Sequence, residues 1–478
     1  MSVSALFTDF YELTMMQGFY LSKKNPDVVF DMFYRTNPFE GGYAVFTGLG
    51  DLLKQLDGLT FLKEDIDYLR SLNKFDPRFL EYLKTYCFNG DVYSMEEGSI
   101  VFPNEPLIRV HTKLLDAQLI EGLLLNTINF QTLIATKSCR VATASGDSIV
   151  MEFGLRRAQG ENGAMAATRA AFIGGCNNTS NTLAGRKFNI PVSGTMAHSW
   201  VMSFDNELES FREFARYYPD NCILLIDTYD TLGSGIENAI IVGLEQKSKG
   251  KKIGVRIDSG DLSYLSKIIR QKLDDADLKD AIICVSNDLT EEIIYALVKD
   301  NAPIDSWGVG THLVTGGTQS SLNGVYKLCA KADVNGKFIP VMKISNSMGK
   351  ITNPGIKQVY RFYDSEGQAL SDLICLADEK LKVGKDYMFF HPISEADFFK
   401  MTSDKYSRIE PMLFKVMDKG HRIDKMETLQ ELQQKVKNNL NLFHKSYKRF
   451  INPHIYKVSL SSKLSSMKLR LIKEIKLK

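Results

Sequence analysis

The sequence contains no run of about 18 apolar residues, so it predicts no helix that crosses a membrane. Residues 1–9 lack the basic stretch of a secretory signal. The seven cysteines are odd in number, spread along the chain and form no Cys-x-x-Cys pair, which argues against a disulfide framework and a structural zinc site. We therefore expect a cytoplasmic protein whose cysteines are reduced and mostly buried.

An excess of charge of one sign is also lacking, since 59 Lys and Arg face 57 Asp and Glu. The balance is uneven, because residues 445–478 hold ten basic side chains and one acid. Leu464, Met467, Leu471 and Ile475 recur there at three- and four-residue steps, which predicts a helix with one apolar face. We expect this helix to pack on the body of the protein, with neither nucleic acid nor a membrane as partner. Binding of either by its basic face is the alternative.

With 478 residues, of which 44% are hydrophobic and 24% charged, the chain is long enough for two or three units with well-formed cores. Short apolar runs recur between residues 148 and 330, and the first six end in clusters of polar residues, most of them with glycines. In order they are SIVMEFGLRRAQG, IPVSGTMAHS, CILLIDTYDTLGSG, KIGVRIDSGDL, AIICVSNDLTEE, SWGVGTHLVTGG and GVYKLCA.

Segments with helical spacing follow most of these runs, for example Glu207–Tyr217, Gly235–Gln246, Leu262–Leu273 and Glu291–Lys299. Apolar strands that alternate with helices form parallel βαβ units, and about seven in a row predict an α/β fold with a distorted or incomplete (β/α)8-type barrel. A doubly wound open sheet is the alternative. The expected domains are an N-terminal α+β domain (1–135), to which the chain returns later, the barrel with the active site (136–350), and a C-terminal extension (351–478) packed on the N-terminal domain.

Polar and charged residues follow the predicted strands. In such a barrel the loops after the carboxyl ends of the strands meet on one face and carry the catalytic groups. We therefore expect convergence of Glu152, Arg156, Arg157, His198, Asp227, Asp230, Arg256, Asp258, Asp261, Asn287, Asp288 and Gly308–Thr311. A lone loop histidine such as His198 is ordinarily a solvated or capping residue, but the repeated pattern favours a functional role for it.

The residue types predict the chemistry of the substrate. Gly308–Thr311 and Thr315–Thr318 allow backbone N–H groups to approach a phosphate closely. The acids of Asp258–Asp261 and the pair Asn287-Asp288 suit ribose hydroxyls or a magnesium ion. Arginines bind carboxylates or phosphates through paired hydrogen bonds. A substrate with phosphates, a ribose and a small carboxylate would use all of these groups.

Six segments carry a resemblance to a known family. They are TDFYELTM (8–15), MFYRTNPFEGG (32–42), EFGLRRAQG (152–160), GTMAHS (194–199), IDSGD (257–261) and GVGT (308–311). In kind and order they resemble the nicotinate phosphoribosyltransferases, which have the type II phosphoribosyltransferase fold. The resemblance implies an N-terminal α/β domain, a distorted α/β barrel, and a homodimer whose active sites lie between subunits.

The resemblance also implies a reaction in which nicotinate and 5-phosphoribosyl 1-diphosphate give nicotinate mononucleotide and diphosphate while ATP is hydrolysed. Magnesium is the implied cofactor, and the implied role is salvage of nicotinic acid for NAD biosynthesis. ATP would phosphorylate His198, and Asp227 would orient its ring. Phe153 and, from the other subunit, Tyr11 would stack on the pyridine ring.

The other substrate contacts that the resemblance implies fall on matching positions. Arg256 and Ser199 would bind the carboxylate, Asp258, Asn287 and Asp288 the ribose, Gly310 and Thr311 its 5-phosphate, and Arg35 and Arg157 the diphosphate, with Arg156 as a further substrate contact.

Three alternatives remain open. A nicotinamide phosphoribosyltransferase would share the fold and the histidine, but that family has an Asp where this chain has Asn181. An Asp there would repel a carboxylate, so we expect Asn181 at the substrate site and a preference for nicotinate. Quinolinate phosphoribosyltransferases are much shorter and lack the phosphorylated histidine. A nucleic-acid-binding protein would depend on the basic tail alone.

Overall fold

The computed structural model describes residues 4–394 and 396–477. The chain forms two compact units. The first comprises the residues up to Leu133 together with those from Ser321 onward, and the second comprises Ile134–Ser320. The chain therefore leaves the first unit once and later returns to it.

The N-terminal part of the first unit alternates helices with short strands. Its elements are α1 (Phe10–Leu21), β1 (Asp27–Tyr34), β2 (Ala44–Val45), α2 (Leu49–Leu56), α3 (Lys63–Ser71), α4 (Pro77–Leu83), β3 (Asp91–Ser94), β4 (Ile100–Val101), β5 (Ile108–Lys113), α5 (Leu114–Leu119) and α6 (Glu121–Ser145), whose last residues belong to the second unit. Helix α4 begins where local sequence signals predict it, because the Asp76 side chain accepts a hydrogen bond from the Arg78 N–H and Pro77 occupies the first turn.

Strands and helices alternate in the second unit. They are β6 (Ile149–Glu152), α7 (Gly160–Gly174), β7 (Asn178–Thr179), α8 (Thr182–Phe188), α9 (His198–Met202), α10 (Glu207–Tyr217), β8 (Cys222–Leu225), α11 (Ile236–Lys247), β9 (Ile253–Ile257), α12 (Leu262–Asp275), β10 (Ile282–Val285), α13 (Glu291–Lys299), β11 (Ser306–Val309) and α14 (Thr311–Val314).

The returning part of the chain is rich in strands. Its elements are β12 (Gly324–Ala332), β13 (Phe338–Pro340), β14 (Lys357–Tyr363), β15 (Ala369–Leu376), β16 (Tyr387–Phe390), β17 (Phe398–Met401), β18 (Arg408–Pro411), β19 (Phe414–Asp418), β20 (His421–Arg422), α15 (Leu429–Asn441), β21 (Val458–Leu460) and α16 (Ser462–Lys476).

The first unit contains two large sheets, of which the first joins the N-terminal and returning parts and the second lies within the returning part. The first has the order β13-β12-β1-β5-β3-β19-β20, and the second has the order β17-β16-β21-β15-β14-β18. A shared hydrophobic core includes Phe46 from the N-terminal part and Tyr326 and Leu464 from the returning part. Residues of the C-terminal extension therefore complete the core that the N-terminal residues begin.

The second unit is built on a parallel sheet with the order β7-β6-β11-β10-β9-β8. In the described part of the chain the edge strands β7 and β8 do not pair with each other, so the barrel does not close. The predicted α/β fold with an incomplete barrel is confirmed. Four predicted helices are present, and α10 and α13 have the predicted bounds.

Two of the seven predicted strands are corrected. GVYKLCA belongs to β12, which pairs antiparallel with β1 in the first unit, so it adds no strand to the barrel. The IPV segment contributes a single bridge between Val192 and Thr179 instead of a strand. Both runs are short and apolar, and such runs do not reveal their pairing partner, which for β12 lies about 300 residues away in sequence.

The basic tail forms α16, with Leu464 fully buried. Lys468 is also buried and donates hydrogen bonds to Asn353 and to the Pro392 carbonyl. All seven cysteines lie in the described residues and are free thiols; six are buried, and Cys87 is exposed. Within residues 4–394 and 396–477, no helix is both long and apolar enough to span a membrane. A cytoplasmic location stays a prediction.

Candidate active site

Several predicted functional side chains of the second unit lie at or just after the carboxyl ends of its strands. Glu152 ends β6, Asp227 and Asp258 follow β8 and β9, Asn287 follows β10, and Gly310 follows β11. Because these strands are parallel neighbours, their ends lie along one edge of the sheet.

His198 is the first residue of α9, and its side chain is 42% exposed. Its Nδ1 lies 3.1 Å from the Thr228 hydroxyl oxygen. Its Nε2 lies 4.0 Å from Asp227 Oδ1 and 3.9 Å from Asp258 Oδ2. The imidazole is thus held on one side by a hydroxyl and faces two carboxylates on the other, with part of the ring open to solvent.

The Asp227 carboxylate is buried, with 1% of its side chain exposed. Its Oδ2 accepts hydrogen bonds from the Asp258 N–H at 3.1 Å and from the Ser259 hydroxyl at 2.6 Å. Its Oδ1, which faces His198, has no hydrogen-bond partner among the described residues. A buried carboxylate oxygen without a partner is costly, so this atom is available to a donor at the site.

The Arg256 guanidinium lies next to the Asp258 carboxylate. Its Nη1 donates to the Thr195 hydroxyl and to the Met196 carbonyl, the latter at 3.1 Å, and its Nη2 lies 3.6 Å from Asp258 Oδ2. Asp258 also accepts a hydrogen bond from the Ser286 hydroxyl. The guanidinium and the two aspartates therefore place opposite charges around His198, which suits binding of an anion beside hydroxyl groups.

The Phe153 ring packs against Met151, Ile223 and Cys284 and remains partly exposed. Gly308 allows this position, because a Cβ there would lie 2.7 and 2.8 Å from two atoms of the ring. The site therefore has one aromatic face whose placement depends on a glycine in the neighbouring strand.

Glu152 and Asn181 are buried and bonded within the unit. Glu152 accepts hydrogen bonds from the hydroxyls of Thr168 and Thr179 and from the Gly154 N–H. Asn181 caps α8, since its side-chain oxygen accepts from the Ala184 N–H at 3.2 Å. Glu152 thus links β6 to α7 and β7, and Asn181 links the end of β7 to α8.

The loop after β10 has an unusual backbone. Asn287 and Asp288 both have positive φ, at 98° and 39°. Neither is glycine, so the conformation carries strain that is typical of functional loops. After β11, Gly310 precedes the short helix α14, and Gly316 and Gly317 also have positive φ.

Other predicted residues are placed as follows. Arg156, Arg157 and Ser199 are exposed, Thr311 is partly exposed, and Asp230 and Asp261 accept hydrogen bonds from the N–H groups of Gly233 and Tyr264. Tyr11 and Arg35 belong to the first unit. Burial and nearby acids, Glu121 first, raise the pKa of Tyr11 to about 12, so its hydroxyl stays protonated at neutral pH. Arg35 Nε is buried without a hydrogen-bond partner in the described chain.

Sequence reasoning missed four hydroxyl side chains of this site: Thr195, Thr228, Ser259 and Ser286. Thr228 and Ser259 each directly follow a predicted acid, so adjacency to Asp227 and Asp258 was the available signal. In the described residues, no group of three or more His, Cys, Asp or Glu is arranged to hold a metal ion. A magnesium ion bound chiefly by substrate phosphates and water needs only one or two carboxylates, which this site can provide.

Models of three domains match this chain: the nicotinate phosphoribosyltransferase N-terminal domain (residues 6–129), the nicotinate phosphoribosyltransferase family (149–371) and the nicotinate phosphoribosyltransferase C-terminal domain (356–468). The nicotinate phosphoribosyltransferase of Bacillus subtilis is 42% identical over 99% of this chain and 96% of its own length. This chain belongs to the nicotinate phosphoribosyltransferase family, and it is an enzyme of that family.

Relatives of this family member extend to animals. The nicotinate phosphoribosyltransferase of Caenorhabditis elegans is 36% identical over 97% of this chain and 92% of its own length. The crystal structure of human nicotinic acid phosphoribosyltransferase superposes with a TM-score of 0.85 at 28% identity, covering 97% of this chain and 99% of that chain. The similarity thus spans both units.

Proposed function

We propose that this protein transfers the phosphoribosyl group of 5-phosphoribosyl 1-diphosphate to nicotinate. The products are nicotinate mononucleotide and diphosphate, and one ATP is hydrolysed to ADP and phosphate per turnover. The observation that carries the proposal is the cluster of His198, Asp227, Asp258 and Arg256 at the strand ends of a chain that is 42% identical to a nicotinate phosphoribosyltransferase.

The pyridine ring would lie against Phe153, whose exposed face is the aromatic surface of the site. Tyr11 of a second subunit would cover the other face of the ring, so the active enzyme would be a homodimer with shared sites. Arg256 would bind the nicotinate carboxylate with help from Ser199, because a guanidinium matches a carboxylate through two parallel hydrogen bonds. Asn181 adds no negative charge, so it does not repel that carboxylate.

The phosphoribosyl group would occupy the remaining strand ends. Asp258, Asn287 and Asp288 offer oxygens to the ribose hydroxyls, while the backbone at Gly310 and Thr311 can approach the 5-phosphate closely. The arginines proposed for the diphosphate side are Arg35 and Arg157, and Arg156 is proposed as a further substrate contact. Displacement at the anomeric carbon places positive charge on the sugar and negative charge on the leaving diphosphate, so carboxylates beside the ribose and arginines beside the diphosphate both lower the barrier.

ATP would phosphorylate His198. Imidazole is nucleophilic near neutral pH, and a neighbouring carboxylate stabilises the charge that develops on the ring. Asp227 suits that role because its Oδ1, which has no hydrogen-bond partner in the part of the chain that the structure describes, lies 4.0 Å from Nε2. A small rotation of the partly exposed ring would close that gap. Magnesium would neutralise the phosphates of ATP and of the diphosphate substrate.

The substrate assignment is tested by incubating the protein with 5-phosphoribosyl 1-diphosphate, magnesium and either nicotinate or nicotinamide, with and without ATP. We expect nicotinate to be preferred at least 100-fold, which corresponds to roughly 3 kcal/mol of carboxylate recognition. Equal turnover of the two substrates would contradict the role of Arg256.

The phosphohistidine is tested with His198→Ala. This variant should lose ATP hydrolysis and the acid-labile, base-stable phosphate on the protein, but should keep a slow ATP-independent transfer. Asp227→Asn should reduce phosphorylation without eliminating it, because an amide holds the ring but does not stabilise its charge. His421→Ala, which removes an exposed histidine of the first unit, is the matched control. Normal ATP hydrolysis by a folded His198→Ala variant would overturn the phosphohistidine while leaving the transfer reaction in place.

A further inference from the structure

The surroundings of His198 differ at its two ring nitrogens. Nε2 faces two carboxylate oxygens at 4.0 and 3.9 Å, whereas Nδ1 faces the Thr228 hydroxyl at 3.1 Å. A neutral imidazole carries its proton on one nitrogen and a lone pair on the other. The two environments therefore decide which nitrogen carries the proton.

A lone pair on Nε2 would point towards the negative oxygens of Asp227 and Asp258, which is unfavourable. An N–H at the same position is attracted by both carboxylates, and Asp227 Oδ1 has no hydrogen-bond partner elsewhere in the described chain. The proton therefore belongs on Nε2. Asp227 is itself held in place, because its Oδ2 accepts from the Asp258 N–H and from Ser259.

With the proton on Nε2, Nδ1 is an acceptor, and the hydrogen bond to Thr228 must be donated by the hydroxyl. We propose that Thr228 is a positioning residue for His198: its hydroxyl holds the Nδ1 lone pair and fixes the ring as the Nε2–H tautomer that faces Asp227 and Asp258. This inference deepens the proposed function and, in its effect on phosphorylation, rests on it.

A threonine suits this position better than an acid. A hydroxyl can donate to the neutral ring and can turn to accept from it when the ring is protonated, whereas a carboxylate can only accept. An acid beside Nδ1 would instead draw the proton to that nitrogen. Thr228 is thus a neutral hydrogen-bond partner of Nδ1, whereas Nε2 faces the negative carboxylates of Asp227 and Asp258.

The tautomer can be measured without substrates in protein labelled with ¹⁵N in its histidines. Long-range ¹H–¹⁵N correlation distinguishes protonated from unprotonated ring nitrogens. Of the seven histidines, His198 is identified as the signal that His198→Ala removes. In the wild-type protein, at a pH where the ring is neutral, we expect Nε2 protonated and Nδ1 unprotonated. A protonated Nδ1 would overturn the proposal even if both Thr228 variants failed to fold.

Two substitutions at Thr228 form the second arm. Thr228→Val has nearly the same shape but no hydroxyl. In the Nε2–H tautomer the Nδ1 lone pair attacks the terminal phosphorus of ATP once the Thr228 hydroxyl turns away, the bond to ADP breaks, and Nε2 keeps its proton. The variant should shift the tautomer ratio towards Nδ1–H, which cannot attack, and slow phosphorylation by up to about tenfold, the effect of one lost hydrogen bond. Thr228→Ser keeps the hydroxyl and should restore both measurements. Wild-type tautomer and wild-type phosphorylation in a folded Thr228→Val variant would refute the role of Thr228. Absence of phosphohistidine in the wild-type protein would contradict the proposed function and leave the tautomer result to be judged alone.

Discussion

Replacing Gly308 by alanine should displace the aromatic face of the active site. An ideal Cβ at this position would lie 2.7 Å from Cδ2 and 2.8 Å from Cε2 of Phe153, and 3.3 Å from the Cβ of Ser286. Carbon atoms in contact are about 3.5–4.0 Å apart, so the ring must withdraw by about 1 Å. The backbone is less free to move, because Gly308 lies within β11 and that strand pairs with both β6 and β10.

The expected cost falls on substrate binding more than on folding. An aromatic contact of this kind contributes about 0.5–1.5 kcal/mol, and 1.4 kcal/mol is tenfold in affinity. We therefore expect Gly308→Ala to raise the KM for nicotinate about three- to tenfold, with a smaller effect on the KM for 5-phosphoribosyl 1-diphosphate. Overpacking in a closed core lowers the free energy of unfolding by about 1–3 kcal/mol. The partly exposed Phe153 ring can move aside, so we expect a smaller loss of stability here.

Steady-state kinetics with nicotinate varied, together with thermal unfolding, measure both effects. The matched control is Gly243→Ala in α11, where an added Cβ would lie 2.6 Å from Leu278 Cδ1 and 2.8 Å from Ile253 Cδ1. This overlap is of the same size but lies at the opposite edge of the sheet, since Ile253 begins β9. The control should alter stability and leave both KM values unchanged. An unaltered nicotinate KM in folded Gly308→Ala would refute the placement of the substrate on Phe153.

Three other predictions concern single side chains. Burial raises the pKa of Glu12 to about 7, so the stability that its protonated form contributes is present at low pH and is lost as the pH rises from about 4.5 through 7. Glu12→Gln should therefore reduce the fall in melting temperature between pH 5 and pH 8. An unchanged fall would contradict this prediction. Arg361→Met removes the cation from the buried Asp372, which keeps the hydrogen bond from the Tyr456 hydroxyl, and should lower the free energy of unfolding by about 3–5 kcal/mol in urea titrations. Arg408→Met, in an exposed pair, should cost about 1 kcal/mol or less, and equal losses would refute the argument. Asn181→Asp should keep the helix cap but raise the KM for nicotinate at least tenfold through charge repulsion, and a wild-type KM would remove Asn181 from substrate selection.

The bounds of the helices around the barrel could be predicted from local sequence signals. Helices α10 and α13 have the predicted bounds, and each begins after a capping side chain, Asn206 or Thr290. Helix α10 buries Phe211 and Phe214, and α13 buries Ile294. These signals lie within a few residues of each other in the chain. Helix α16 followed in the same way from the spacing of Leu464 and its apolar neighbours.

The candidate site was predictable only by residue type. Acids, arginines and glycines after apolar strands identified Asp227, Arg256 and Asp258, because parallel strands bring their carboxyl ends to one edge. The only local signal for Thr228 was its adjacency to Asp227, and that signal did not identify it as the partner of His198, which lies 30 residues away in the chain. Which side chain touches a ring depends on the register of neighbouring strands, and local sequence does not encode that register.

The sequence by itself determined the family, the alternation of strands and helices, and the chemical character of the site, because these depend on residue type and short-range spacing. The tertiary structure alone decided that β12 pairs with β1 outside the barrel, and that Asp227 Oδ1, beside His198, has no hydrogen-bond partner among residues 4–394 and 396–477. Both depend on contacts between segments far apart in the chain. Such contacts follow from the packing of whole sheets and cores, in which many apolar runs compete for the same partner.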